Sequence, residues 1–214
     1  MKKLFALLLA VMLVISLAAC GKTDAAPTTA PTTAPEKEPE PAGTLYVTFG
    51  AALEMVFDSN CETISITGTN DLGKLIADAN QNQLNKGCVF ALRAILRYAS
   101  DNSLLGDAKT MAIRVGAKDT LPKADFLEEI QTDCQYLADE ECTGIRIVPL
   151  VGDMLDSDGN ITAAAAKKLA CRFMEAEDAD VTGGEAAADG VFTFVCGEKS
   201  CTVDAFSGLV KAAA

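Results

Sequence analysis

The chain has 214 residues, 50% of them apolar, enough to bury the core of one ordinary domain or two small ones, so wholesale disorder is excluded. Its net charge of −12 would repel phosphate backbones, which argues against nucleic acid as a partner. Histidine is absent, so the commonest general base and metal ligand is missing, and the absence of tryptophan argues against a sugar-stacking platform.

Residues 1–20 have the layout of a secretory signal. Lys2 and Lys3 precede an apolar run over residues 4–17, which is too short for a comfortable membrane span. The run ends in Leu17-Ala18-Ala19-Cys20-Gly21, which resembles the lipobox of bacterial lipoproteins. The resemblance implies cleavage before Cys20, acylation of its thiol, and anchoring on the extracytoplasmic face of a cell membrane, as at a Gram-positive surface. The alternative is an ordinary signal peptide with a chance cysteine.

Residues 21–42 predict a disordered stalk. The segment repeats Ala-Pro-Thr-Thr and then becomes rich in proline and glutamate, with too few bulky apolar groups to offset its ordering entropy. At ~3.1 Å per residue in polyproline geometry it would reach roughly 65 Å from the membrane.

Residues 43–150 predict an α+β domain. Apolar and polar residues alternate over 44–68 around the turn Asp58-Ser59-Asn60, which indicates an antiparallel meander. Helical spacing follows, with an apolar stripe of Leu84, Cys88, Leu92, Ile95, Leu96 and Ala99. A strand over 111–115, a helix with Pro122 as its first residue and an apolar stripe over 126–137, and a strand over 145–147 come next. This order predicts helices on one face of a mostly antiparallel sheet.

This domain resembles the extracellular domain of RsgI-type anti-sigma factors. The similarity lies in Leu53-Glu54-Met55-Val56-Phe57-Asp58, in residues 64–73, and in the strand Ala112-Ile113-Arg114-Val115 after a long helix. That family carries an Asn-Pro bond, to which self-cleavage is attributed, shortly before the glutamate, whereas this chain has Gly50-Ala51-Ala52 there. The resemblance therefore implies a fold and an extracellular setting without the cleavage.

Residues 151–211 predict a helix followed by a hairpin. Asp156-Ser157-Asp158-Gly159-Asn160 is similar to a calcium loop, but too few carboxylates fall at the liganding positions. We therefore expect a turn that delivers Thr162 as a helix N-cap. An apolar helical face and strands over 192–195 and 201–204 follow, the face consisting of Ala166, Leu169, Ala170 and Phe173.

This second unit resembles the PepSY domain, a small α+β module. The similarity rests on the helix, the hairpin and the final Asp204-Ala205-Phe206-Ser207-Gly208-Leu209-Val210, which is similar to an Asp-x-x-x-Gly-x-Val ending. PepSY domains occur in peptidase propeptides and in secreted or surface proteins, where they are thought to bind or restrain a partner, commonly a peptidase. The resemblance implies a binding module and does not name the partner.

Seven cysteines remain besides Cys20, and an odd number prevents complete internal pairing. Cys88, Cys134 and Cys171 fall on apolar helix faces, where cysteine usually acts as a small core hydrophobe. Cys196 and Cys201 flank a predicted four-residue turn and are a candidate disulfide, with two free thiols as the alternative. The chain lacks Cys-x-x-Cys spacing and histidine, so we expect no metal site, no cofactor and no cysteine nucleophile.

These patterns predict a lipid-anchored, non-enzymatic protein that binds an envelope or secreted protein or peptide. One form of this prediction is that the partner is a peptidase, which the protein restrains. No catalytic residues are expected. One alternative is a hydrolase with paired carboxylates, such as Glu54 with Asp71 or Glu128 with Glu129, although acidic pairs are common on the solvated faces of a chain with 30 Asp and Glu residues. The other is a sensor or binding lipoprotein for a small ligand, which a deep pocket between the two units would support.

Overall fold

The computed structural model describes residues 39–116, 118–141 and 143–213. The predicted signal, the lipid attachment at Cys20 and the stalk up to residue 38 lie outside these residues. The described part contains four α-helices and two β-sheets, which confirms the predicted α+β class. None of these helices is both long and apolar enough to cross a bilayer.

The first sheet has five strands in the order β3-β2-β1-β4-β5. Its strands are β1 (Pro41–Thr48), β2 (Ala52–Asp58), β3 (Thr63–Gly68), β4 (Thr110–Val115) and β5 (Arg146–Pro149). All neighbours are antiparallel except β4 and β5, which are parallel. The register aligns core residues, with Leu45 opposite both Met55 and Val115. The predicted meander and the mostly antiparallel sheet are therefore confirmed.

Three helices share one apolar core with this sheet: α1 (Asp71–Ala79), α2 (Cys88–Asp101) and α3 (Phe126–Glu140). Helix α1 was not predicted; it is nine residues long and is capped by Asn70, whose Oδ1 accepts from the Gly73 N–H at 2.7 Å. The prediction that Pro122 starts α3 is wrong. The helix begins at Phe126, which is fully buried, because residues 121–125 make no core contact that would hold another turn.

The second sheet has four antiparallel strands in the order β6-β7-β8-β9. One helix, α4 (Ala163–Met174), precedes it, and the strands are β6 (Thr182–Ala186), β7 (Val191–Cys196), β8 (Lys199–Asp204) and β9 (Val210–Ala212). Thr162 is the N-cap of α4 as predicted, and its Oγ1 accepts from the Ala165 N–H at 3.3 Å. The predicted four-residue hairpin turn is wrong, because Cys196 pairs with Lys199 and only Gly197 and Glu198 lie between them. Gly197, at φ +59, permits this tighter turn.

Helix α4 lies between the second sheet and the outer face of the first sheet. Its Leu169 shares an apolar cluster with Phe194 of β7 and with Ala112 and Val148 of β4 and β5. Residues of β4 therefore alternate between two cores, and all six are buried. The predicted single helical face describes α1, α2 and α3, whereas α4 covers part of the opposite face.

Candidate binding cleft

An open cleft of ≈ 450 Å³ lies where the outer face of β1 and β2 meets the second sheet. Its walls include Tyr46, Thr48 and Glu54 from the first sheet, and Thr202, Asp204 and Phe206 from the second sheet and the loop after β8. Alternation along β1 and β2 sends Leu45, Val47 and Met55 into the core and leaves their neighbours facing the cleft. The cleft is thus a direct product of strand geometry.

The Arg114 side chain lies behind the cleft and contacts a residue of each wall. It is 2% exposed, and its Cζ lies 4.6 Å from the ring centroid of Tyr46 and 4.3 Å from that of Phe206. The two rings meet edge to face, with centroids 5.4 Å apart. The guanidinium also donates a hydrogen bond to the Gly159 carbonyl. Three segments distant in sequence therefore converge on one cation.

The charge of Arg114 and the hydroxyl of Tyr46 influence each other. Burial lowers the pKa of Arg114, while Tyr46 and Asp204 oppose that shift. Burial raises the pKa of Tyr46, Glu54 raises it further, and Arg114 acts in the opposite direction. Arg114 Nε is buried without a hydrogen-bond partner among the described residues. The cation is therefore held by two ring faces, the Gly159 carbonyl and the more distant Asp204 carboxylate, and it has no ion-pair partner among the described residues.

The loop after β8 is shaped by Asp204 and Ser207. Asp204 Oδ1 accepts from both the Ser207 N–H and its hydroxyl at 2.6 Å. The Thr48 hydroxyl donates to the Ser207 carbonyl at 2.9 Å, which attaches the loop to β1. Gly208 follows at φ +72 and packs closely against Ala112 and neighbouring apolar groups. The Asp-x-x-x-Gly ending noted in the sequence thus positions a cleft wall, a role that its spacing alone did not reveal.

Carboxylates give the cleft its electrostatic character. Glu54 and Asp204 lie on opposite walls, Lys211 is also part of the lining, and Phe206 is 51% exposed. Within the described residues, neither Glu54 nor Asp204 forms an ion pair. An open apolar ring beside two carboxylates suits a cationic group carried on an apolar stem.

The carboxylate pairs considered for hydrolysis do not converge on this cleft. Asp71 is exposed and lies 3.7 Å from Lys74 on the surface of α1, outside the cleft lining that contains Glu54. Glu129 pairs with Lys123 on the surface of α3, and Glu128 is exposed.

The loop considered for calcium has an internal structural role instead. Asp156 Oδ1 accepts from the backbone N–H groups of Asp158 and Asn160, each at 2.9 Å. Across the described ranges, no group of three or more Cys, Asp and Glu side chains is arranged to hold a metal ion. Asp156 thus shapes the turn that leads to Thr162.

The cysteines fall into separate environments. Cys88 and Cys134 are buried in the first core as predicted, and burial raises the pKa of their thiols to about 11 and about 12, respectively. Cys201 lies opposite Phe194, and both Cys201 and Cys196 are free thiols in the structure. The two are therefore diagonal rather than directly opposed neighbours, and their disulfide stays a prediction. Cys142 lies outside the described residues.

No family model matches the chain, and no curated protein matches it in sequence. The resemblances to the RsgI-type extracellular domain and to PepSY therefore stay predictions.

Proposed function

We propose that the chain is a lipid-anchored, extracytoplasmic binding protein whose cleft holds a basic segment of an envelope or secreted protein. The observation that carries this proposal is the placement of Glu54 and Asp204 on opposite walls of an open cleft with an exposed ring, Phe206. Neither carboxylate forms an ion pair with another described residue. A lysine or arginine side chain can place its stem on the ring and its charge between the carboxylates. The PepSY resemblance adds a peptidase as the partner class.

Pre-organisation supports a binding role. Tyr46 and Phe206 are already held against Arg114, and the loop carrying Phe206 is already hydrogen-bonded to β1 through Ser207. Because the fold already holds these side chains in place, little conformational entropy is lost from the cleft walls when a partner binds. The net charge of −12 attracts cationic segments and accelerates their encounter at low ionic strength.

Direct binding of two matched peptides tests the cleft. The full-length chain in detergent is titrated with a fluorescent peptide of alternating Lys and Ser, and with its Glu–Ser counterpart. We expect the Lys peptide alone to bind, and Glu54→Gln to weaken that binding about five- to tenfold, because one charge-assisted contact is lost. Glu185→Gln on exposed β6 is the matched control and should leave affinity unchanged. Equal binding by Glu54→Gln would refute the cleft as the site.

The anchor is tested separately. Cys20→Ser should abolish incorporation of labelled palmitate and release the chain from the membrane fraction, because the acylated thiol is the proposed attachment. Cys196→Ser serves as the control, since its thiol lies in the folded part. Retention of label by Cys20→Ser would contradict the lipobox assignment.

A small cationic ligand is the second candidate, favoured by the cleft volume of ≈ 450 Å³ between the two units. That volume falls within the usual range for small-molecule sites. Arginine, lysine and spermidine are the probes, and a specific ligand should raise Tm in a concentration-dependent way that Glu54→Gln reduces. A Tm that none of them changes would remove this candidate.

A further inference from the structure

Two cysteines distant in sequence meet where the β2–β3 turn approaches the start of α2. The Cys88 N–H donates to the Cys61 carbonyl at 2.8 Å. Next to them, Glu62 and Gly87 form an antiparallel bridge, and the Thr63 N–H donates to the Lys86 carbonyl at 2.8 Å. Residues 61–63 and 86–88 therefore run antiparallel past each other around one isolated bridge, and Cys61 and Cys88 lie next to that bridge, joined by a single backbone hydrogen bond.

This contact brings the two backbones within disulfide range, although both cysteines are free thiols in the structure. The 2.8 Å bond from the Cys88 nitrogen to the Cys61 oxygen limits the separation of the two Cα atoms to at most ~6.7 Å by standard bond lengths. Disulfides span Cα separations of roughly 4.4–6.8 Å. Both side chains contact the same apolar core, Cys88 fully buried and Cys61 half-buried. The two thiols are close enough for the ionisation of one to affect the other.

The backbone at Cys61 does not explain why a cysteine is there. Cys61 has φ +65, in the left-handed region, where a Cβ is unfavourable and Gly or Asn is the usual choice. The turn is already organised by Asp58, whose Oδ1 accepts from the N–H groups of Asn60 and Glu62. A cysteine at this position is better accounted for by what its sulfur can do.

We propose that Cys61 and Cys88 form a disulfide that fastens the β2–β3 turn to the first turn of α2. Its occurrence in cells rests on the proposed extracytoplasmic location, because disulfides persist in oxidising compartments. Its chemistry does not depend on that location.

The oxidation is an exchange with a protein or small-molecule disulfide. The more accessible Cys61 thiolate attacks one sulfur of the oxidant, and a mixed disulfide forms as the first thiolate leaves. The Cys88 thiolate then attacks Cys61 Sγ and displaces the second thiolate. The oxidant gains two electrons, and its two released thiolates take up the protons lost by Cys61 and Cys88.

The surroundings predict the order and the pH dependence of these steps. Burial raises the pKa of Cys61, and the nearby Lys123 opposes that shift. Burial raises the pKa of Cys88 to about 11, with Thr63 lowering it and Cys61 raising it. Closure by Cys88 should therefore be the slow step and should accelerate as the pH rises above neutrality.

The test is oxidation of the full-length chain in detergent with oxidised glutathione. Free thiols are alkylated with iodoacetamide under denaturing conditions, and the linked peptides are identified by mass spectrometry. We expect a Cys61–Cys88 cross-linked peptide and a Tm about 5–10 °C above that of the reduced chain, because a long loop is closed in the unfolded state. Recovery of Cys61 and Cys88 as alkylated thiols, or linked to other cysteines, would overturn the proposal.

Two substitutions separate this disulfide from other thiols. Cys61→Ser, at a half-buried position, should reduce the oxidant-dependent rise in Tm, whereas Cys171→Ser on α4 should retain it in full. A full rise in Cys61→Ser would refute the assignment, and the cross-link in the unaltered chain decides the matter even if this variant folds poorly. A link formed with glutathione but absent from intact cells would contradict the proposed location, and a link without peptide binding would contradict only the cleft.

Discussion

The two cores of this protein differ in how far each is self-contained. Among the described residues, the first core draws on positions up to Ile147 and on none from the second unit. The second core combines α4 and β7–β8 with Ala112, Val148 and Leu150 from the first unit and its exit. The first unit can therefore close without the second, whereas the second borrows a wall from the first. The packing of the second core thus depends on the first unit, whereas that of the first core does not depend on the second unit.

The largest expected effect comes from truncating one phenylalanine in each core. Phe126→Ala and Phe194→Ala both remove fully buried rings, and each should lower the free energy of unfolding by about 3–5 kcal/mol. Phe126→Ala should reduce amide protection in both sheets, because both depend on the first core. Phe194→Ala should reduce it in β6–β9 and spare β1–β3. Hydrogen exchange measures this protection. If Phe194→Ala reduced protection in β1–β3 as much as Phe126→Ala does, the proposed one-way dependence of the second core on the first would be wrong.

The contact between the two cores is tested by substituting two glycines that have nearly the same φ. Gly208 has φ +72 and Gly144 has φ +71, but a Cβ on Gly208 would come within 2.9 Å of Ile161 and 3.2 Å of Ala112, whereas one on Gly144 meets nothing within 4 Å. Gly144→Ala should cost about 1 kcal/mol for the backbone alone, and Gly208→Ala about 2–4 kcal/mol. Urea unfolding compares them. Equal costs would mean that the side chains around Gly208 move aside without loss of stability.

A smaller contrast lies in the helix caps of the two units. Asn70 caps α1 and also ties the β1–β2 turn, accepting from the Ala52 N–H at 3.1 Å and donating to the Gly50 carbonyl at 2.8 Å. Thr162 supplies one longer cap bond to α4, and its hydroxyl also lies 3.3 Å and 3.4 Å from the Met154 and Asp153 carbonyls, to which it donates. Asn70→Ala should therefore cost about 2 kcal/mol and Thr162→Ala about 0.5–1 kcal/mol in urea unfolding. Equal costs would show that capping alone matters, and the reverse order would contradict the stabilising role of the turn bonds.

The smallest effect is alkaline and should fall on both cores, because burial also raises the pKa of Cys201 in the second core to about 11. The pKa of an unfolded thiol is 9.0, whereas burial raises the pKa of Cys88 to about 11 and that of Cys134 to about 12. Ionisation thus favours the unfolded state, so stability should be constant below pH 9 and decline above it, by about 1 kcal/mol per thiol at pH 10. Urea unfolding in reductant checks this, with Cys134→Ala expected to flatten the decline. An unchanged slope would contradict the assignment.

Local patterns in the sequence predicted the meander, α2 and the N-cap at Thr162, because period and capping are properties of neighbouring residues. They missed α1 and β9, which are too short to establish a period, and they placed the start of α3 at Pro122, where no core contact supports it.

The cleft could not have been predicted in the same way. Its walls meet through contacts such as Thr48 with Ser207, which are 159 positions apart. Arg114 reads as a polar residue facing solvent in a half-buried strand, yet it is buried, because Tyr46, the loop before α4 at Gly159 and the loop after β8 at Phe206 cover it. The proximity of Cys61 and Cys88 was missed because it depends on an isolated bridge, between Glu62 and Gly87, outside the two sheets.

The position of β1 at the centre of the first sheet bears on how this protein would withstand mechanical force. The predicted stalk enters the fold at β1, which is paired on both sides, with β2 and with β4. Tension reaching the fold through this stalk would therefore load a strand held by two hydrogen-bonded ladders, instead of an edge strand held by one. In the proposed anchored binding protein, this placement would help the fold to stay intact when the cell wall or a bound partner moves.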